Sequence, residues 1–291
     1  MVTRRNFMAS VAGGVAASAA VGARNLWAAG GLAWPGPIGL ELYTVREMFA
    51  KDPAETLKQV AAVGYKEVEV GPGVKPAMLN PDLRAAGLSA PSGYFEPPKT
   101  IDDWKKTVDM GKEYGLHYLV VGDNPRLDAD TWKRRADLFN QCGALSLKAG
   151  MQFCYHAHFR EFARVDNTCG YDIMLTRCDA KVLKMEMDVF WAAYAGVDPV
   201  SYFQQHPGRF PLLHIKDLKK GYQGSTTDDP SDTGENPFFP VGQGSINWQR
   251  VFSHVTQAGV KHIFVEQDRC DVPPLEAIKI SFDYLKGLHL A

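Results

Sequence analysis

The chain has 291 residues, 45% of them hydrophobic, and its 32 Lys and Arg against 33 Asp and Glu leave a formal net charge of −1. That size and apolar content suit one large domain around a single core. The charge balance gives no basic surface for nucleic acid, and five cysteines (Cys142, Cys154, Cys169, Cys178 and Cys270) without a C-x-x-C pair argue against a disulfide framework.

The first predicted element is a leader. Arg4-Arg5 stand directly before an uncharged run of small and apolar residues from Ala9 to Ala23, and Trp27-Ala28-Ala29 offers small residues for cleavage. This pattern reads as a twin-arginine signal peptide over residues 1–29, followed by an exported, periplasmic or otherwise extracytoplasmic domain over 30–291. The apolar run is too short and too weakly hydrophobic to span a bilayer, so no membrane attachment is expected after processing. Removing Arg4, Arg5 and Arg24, the only charged residues of that stretch, takes the net charge from −1 to −4.

Beyond the leader, strand-type runs alternate with helical stretches. The strands are read at Ile38–Thr44, Lys66–Gly71, Ser89–Phe95, His117–Gly122, Gln152–His158, Val182–Trp191, Phe210–Leu218 and His262–Asp268. Eight such repeats predict a single-domain α/β fold, a (β/α)8 TIM barrel. Helix signals are clearest after Asp52, where Pro53 opens a run to Val63 that stops at Gly64, and again over Asp102–Tyr114 and Asp128–Ala149. Cys154 reads as barrel core. Lys219 to Gly244, rich in Gly, Asp, Ser, Thr and Pro, is the one long irregular segment, expected as a lid or substrate loop. Gly242-Gln243-Gly244 follows that loop and reads as a turn, not a nucleotide-binding fingerprint.

Four strand ends carry metal-ligand side chains: His156, Asp188, His214 and Glu266. In a parallel barrel the carboxyl ends of all strands open into one mouth, so these four can converge on a divalent ion, with His158 as an alternative or neighbour. Imidazoles with two carboxylates suit Mn, Mg, Co or Zn. Glu41 and Glu69 could reach the mouth and are read equally as hydroxyl binders or as members of internal salt bridges, whereas Glu186 is read as a deeper structural carboxylate paired with Lys184 or another base.

Several segments carry a resemblance: Ile38-Gly39-Leu40-Glu41-Leu42-Tyr43-Thr44, Tyr155-His156-Ala157-His158-Phe159-Arg160-Glu161-Phe162, Pro207-Gly208-Arg209-Phe210-Pro211-Leu212-Leu213-His214-Ile215-Lys216-Asp217 and Val241-Gly242-Gln243-Gly244. Together with Val63 to Glu69 they resemble the sugar phosphate isomerase/epimerase family of the xylose-isomerase-like barrels, over essentially the whole chain after the leader. The resemblance implies His156, Asp188, His214 and Glu266 as metal ligands, with Glu69, His158, Glu161, Arg209 and Lys216 lining the sugar pocket. Where ketose epimerases of this superfamily carry a Glu on the fifth strand, this chain has His156, which puts a symmetric two-carboxylate epimerase in question. Trp191 stands where they carry a substrate-binding His, and is read equally as a stacking surface for sugar or as a seal.

The expected activity is a metal-dependent sugar isomerase or epimerase that abstracts a proton next to a carbonyl and passes through a metal-stabilised enediolate. Glu266, Glu161 and His158 are the candidate proton carriers. The alternatives are a 3-keto-glycoside lyase or keto-sugar dehydratase using the same site, and a sugar-binding barrel without catalysis. The expected partner is a small sugar; nothing in the sequence opposes assembly into a homo-oligomer.

Overall fold

The computed structural model describes residues 31–71 and 76–290. The leader expected over 1–29 lies outside the described residues. Eight parallel strands close into a barrel: β1 (Gly39–Glu41), β2 (Glu67–Val70), β3 (Ser89–Phe95), β4 (Tyr118–Val121), β5 (Gln152–His156), β6 (Leu183–Asp188), β7 (Leu212–Ile215) and β8 (His262–Val265). Neighbours pair in chain order and β8 returns to β1, which is the (β/α)8 topology the alternating pattern predicts.

The helices start and stop where local chemistry directs. The Asp52 carboxylate accepts from Glu55 N at 3.0 Å to open the helix Pro53–Val63, and Gly64, at φ 129°, ends it. Thr100, not Asp102, caps the helix Ile101–Tyr114, and Asp128 caps Ala129–Lys148. Each helix lays an apolar stripe on the strands; Leu57 and Val60, both fully buried, contribute about 1.5–3 kcal/mol apiece. Inside the barrel, Val120, Cys154, Leu212 and Phe264 fill a layer below the mouth. Gly39 admits the Phe264 ring, since a Cβ there would lie 2.5 Å from Phe264 Cδ1.

Two expected strands end early for identifiable reasons. The run Val182–Trp191 turns helical at Val189, because the Asp188 side chain caps the helix Val189–Tyr194 by accepting from Trp191 N at 3.0 Å. The run Phe210–Leu218 leaves the barrel after Ile215, and Asp217–Leu218 instead pairs antiparallel with Phe238–Phe239. The long loop is fastened there: the Asp217 carboxylate accepts from Leu218 N, Gly242 N, Ile246 N and Trp248 Nε1 at 2.9–3.1 Å. All five cysteines are free thiols. Among the described residues no helix is long and apolar enough to cross a membrane.

Candidate active site

Barrel register brings the predicted ligands together. His156 lies beside Glu186 across β5 and β6, Asp188 beside His214 across β6 and β7, and Glu41 beside Glu69 across β1 and β2. All six point into the mouth by strand parity, and all are almost fully buried. Ligand atoms of Asp188, His214 and Glu266 lie within 4.8 Å of one another.

Two further carboxylates orient the imidazoles. Glu186 Oε2 pairs with His156 Nδ1 at 3.0 Å, which leaves His156 Nε2 facing Asp188 Oδ2 at 3.8 Å. Glu69 Oε2 pairs with His214 Nε2 at 2.6 Å, which leaves His214 Nδ1 at 2.8 Å from Glu266 Oε2 and 3.8 Å from Asp188 Oδ2. A carboxylate behind each imidazole is the arrangement that fixes a metal-binding tautomer. Asp188 Oδ2 is buried, lies 3.8 Å from a nitrogen of each ring and pairs with the Lys216 ammonium at 3.0 Å. Two imidazoles and two carboxylates, the carboxylates already sharing one cation in Lys216, are a donor set that fits a divalent ion.

The charges agree with that reading. Burial, helped by the His214, His158 and Lys216 charges, holds the His156 imidazole well below its ordinary range, so it is a neutral donor. Burial opposes a charge on His214, but Glu186 and Glu266 outweigh it and hold a proton on the ring. A metal ion held there would replace that proton. Glu41 and Glu186 are pushed well above the carboxylate range, by burial first and then by neighbouring carboxylates.

Lys216 supplies the balancing cation. Its Nζ stands 2.6 Å from Glu266 Oε2, 2.9 Å from Asp268 Oδ2 and 3.0 Å from Asp188 Oδ2. The ammonium therefore competes with a divalent ion for Asp188 and Glu266. Lys216→Met is expected to tighten divalent-metal binding by roughly tenfold, about 1.4 kcal/mol, when titrated by calorimetry; unchanged affinity would remove Lys216 from this role.

The structure decides between the readings open for several expected positions and moves Arg209 and Glu161 away from the mouth. Glu69 is fully buried, held by His214 and the Ser92 hydroxyl, and orients a ring; it does not face substrate. Glu186 meets His156 and His214, while Lys184 donates to Gly208 O. Arg209 precedes β7 at the opposite end of the barrel and donates to Leu175 O, far from the mouth. Trp191 packs against Phe159, Phe190, Tyr194 and Phe238 with Lys216 Nζ 5.4 Å from its ring centre, so it backs the site as a wall. Glu161 turns outward, where its carboxyl accepts from Tyr155 Oη at 2.9 Å and His158 N at 3.2 Å.

Burial pushes the Glu161 carboxyl up to about 8. Its folded-state pKa then exceeds the unfolded value of about 4.3, so stability is full below that value and is lost as pH rises through about 8. Glu161→Gln is expected to flatten this dependence, read as urea midpoints at pH 5 and pH 8, while turnover is retained; lost turnover would restore Glu161 to the chemistry.

A cavity of about 850 Å³ opens above these groups, lined at its inner end by Glu41, His156, His158, His214, Lys216 and Glu266. Among the described residues, none of 219–244 lines it, so the expected lid role of that loop is not seen. His158 is the free base at this end. Its Nδ1 pairs with Asp123 O at 3.1 Å, leaving Nε2 with a lone pair, and burial with the Lys216 charge lowers the ring to about 4. Glu266 differs: burial works against its charge, but Lys216 and His214 hold it far below the carboxylate range.

Residues 38–288 match the profile of a family described as Xylose isomerase-like TIM barrel. Among curated proteins the chain is similar to an inosose dehydratase of Geobacillus kaustophilus, 22% identical over 268 residues that span 80% of this chain and 86% of the relative. Among solved structures it is similar to a sugar phosphate isomerase/epimerase from Parabacteroides distasonis, with a TM-score of 0.75, 25% identity and coverage of 86% of this chain and 93% of that one. A xylose isomerase-like TIM barrel protein from Mycobacterium smegmatis, solved in complex with magnesium, shares the fold at a TM-score of 0.64 and 12% identity, over 87% of this chain and 96% of that one.

Proposed function

Because this chain belongs to the xylose isomerase-like TIM barrel family, we propose that it is a divalent-metal-dependent enzyme that removes a proton from a carbon beside a carbonyl of a sugar-like substrate. The observation that carries this reading is the pair of carboxylate-oriented imidazoles, His156 with Glu186 and His214 with Glu69, converging on Asp188 Oδ2 beside Glu266. His156, Asp188, His214 and Glu266 would hold the ion, of the Mn, Mg, Co or Zn kind. When bound, the ion supplies Lewis-acid stabilisation of the negative charge that develops on the substrate oxygens.

The chain's own residues provide the proton transfers. His158 Nε2, neutral at pH 7, accepts the proton from carbon. Lys216, kept protonated by the Asp188, Asp268 and Glu266 charges against the pull of burial, faces the cavity and donates to a departing oxygen. Glu41, a neutral carboxyl at the mouth with Oε2 unpartnered, is placed to bind a hydroxyl.

One base, His158, and one acid, Lys216, serve a one-way epimerisation or an elimination. In the elimination the C–H electrons form a C=C bond, the C–O bond to the β-substituent breaks, and the leaving oxygen takes the Lys216 proton; the similarity to a dehydratase makes this our first reading. A 3-keto-glycoside lyase or keto-sugar dehydratase thereby moves ahead of the isomerase or epimerase expected from sequence. The likeness to an inosose dehydratase supports elimination; the likeness to a sugar phosphate isomerase/epimerase keeps isomerisation as the second reading. The twin-arginine leader expected from the sequence would put this reaction outside the cytoplasm.

The test is product analysis by NMR with methyl 3-oxo-glucoside and a panel of keto-sugars, on metal-replete protein. An unsaturated ketone with released methanol is expected. A product epimeric beside the carbonyl, with its glycosidic bond intact, would return the epimerase reading, and no product from any of them would sink both.

A further inference from the structure

The cavity is much larger than a single hexose ring needs, since about 850 Å³ lies toward the upper end of pockets that hold drug-sized ligands. Its two ends differ in chemistry. The inner end carries the imidazoles, carboxylates and Lys216 described above. The outer end is built from Phe49, Pro53 and Leu79, with Tyr43 and Met78 standing at its rim. Tyr43 is 49% exposed and Met78 67% exposed, the two largest exposures among the exposed large apolar side chains, and both belong to this one cavity.

A second sugar at the outer end would need hydroxyl-binding side chains. The cavity lining offers Arg46 and the exposed Glu96, and Arg46 is engaged: it stacks 4.0 Å from the Tyr43 ring centre, and donates from Nη1 to Tyr43 O at 2.7 Å and from Nη2 to Asp268 O at 2.9 Å. These bonds fix the Tyr43 backbone and one face of its ring beside the charged end. A ring held in that way, in the same lining as the flexible Met78 thioether, offers stacking and sulfur contact to a flat apolar group.

We propose that the outer end is a subsite for an aromatic substituent carried by the substrate, so that the preferred substrates are aryl glycosides and not free sugars. The inference rests on the reading that the inner end takes a sugar. The occupant is the substrate's own ring, continuous with the sugar bound beside Lys216, and Tyr43 and Met78 are its specificity-determining residues.

The experiment compares binding of 4-nitrophenyl β-glucoside and methyl β-glucoside to the full-length protein by saturation-transfer NMR titration. Neither compound has the carbonyl, so no turnover is involved, and failure of the reaction reading and failure of the subsite are read separately. The nitrophenyl compound is expected to bind at least tenfold more tightly, and Tyr43→Ala with Met78→Ser is expected to collapse that ratio to below about threefold. Both side chains are exposed, so the variant keeps its fold. Equal binding of the two glucosides, no saturable binding of the nitrophenyl compound, or a preference that survives the double substitution would each overturn the subsite.

Discussion

The Asp188→Ala/His214→Ala protein is expected to retain no stoichiometric divalent metal and no turnover. Asp188 holds the oxygen on which both imidazoles converge, and His214 offers Nδ1, so their joint loss leaves only His156 and Glu266 of the four proposed donors. Two structural costs accompany the change. Asp188 also caps the helix Val189–Tyr194, and losing a cap costs about 0.5–2 kcal/mol. Removing His214 strips Glu69 and Glu266 of a buried partner. Asp188→Asn, which keeps the capping oxygen, is therefore the companion variant: it is expected to melt close to the parent and still lose metal. Metal content by elemental analysis of both proteins checks this, and full occupancy in either would remove Asp188 from the ligand set.

The second large effect belongs to His158. Replacing it by Gln is expected to lower kcat by roughly 10²–10⁴-fold, the usual worth of a positioned base, with metal content unchanged. The sign of the pH dependence follows from its lowered pKa of about 4. The ring accepts a proton only when neutral, so the parent's rate holds above about pH 4 and falls below it as the ring becomes charged. In the variant that acid limb disappears along with most of the rate. A variant that kept both would transfer the role of base to another group.

How much of this was legible in the sequence depends on what kind of information each element needs. Strand ends could be read because apolar runs stop at His156, Asp188, His214 and Glu266, and parity faces them inward. Partnerships across strands could not: Glu69 and His214 are 145 positions apart, and only barrel register shows that the second strand reaches the seventh strand's imidazole. Glu186 is the deep, paired carboxylate expected, but which base it meets was hidden for the same reason. Parity pairs it with Lys184 along one strand, while register sets it beside His156. Arg209 was legible and misread: it precedes the strand run, and residues there lie at the amino end, away from the mouth. Glu161 depended on the short helical turn Arg160–Phe162, whose rotation decides whether a loop carboxylate faces the barrel or its outer shell. Trp191 was taken for strand, because a run of large apolar residues looks the same whether or not Asp188 caps a helix at its start.

Proton removal beside a carbonyl at the metal site is tested most directly by solvent-deuterium exchange. Methyl 3-oxo-glucoside is incubated in D2O with metal-replete protein and with the same protein after chelation, and the C–H signals flanking the carbonyl are followed by proton NMR. The account predicts enzyme-dependent loss of one of those signals, or its disappearance into product, in the replete sample alone. Signals that decay no faster than in buffer with fully loaded protein, or equally fast after the metal is removed, would contradict it.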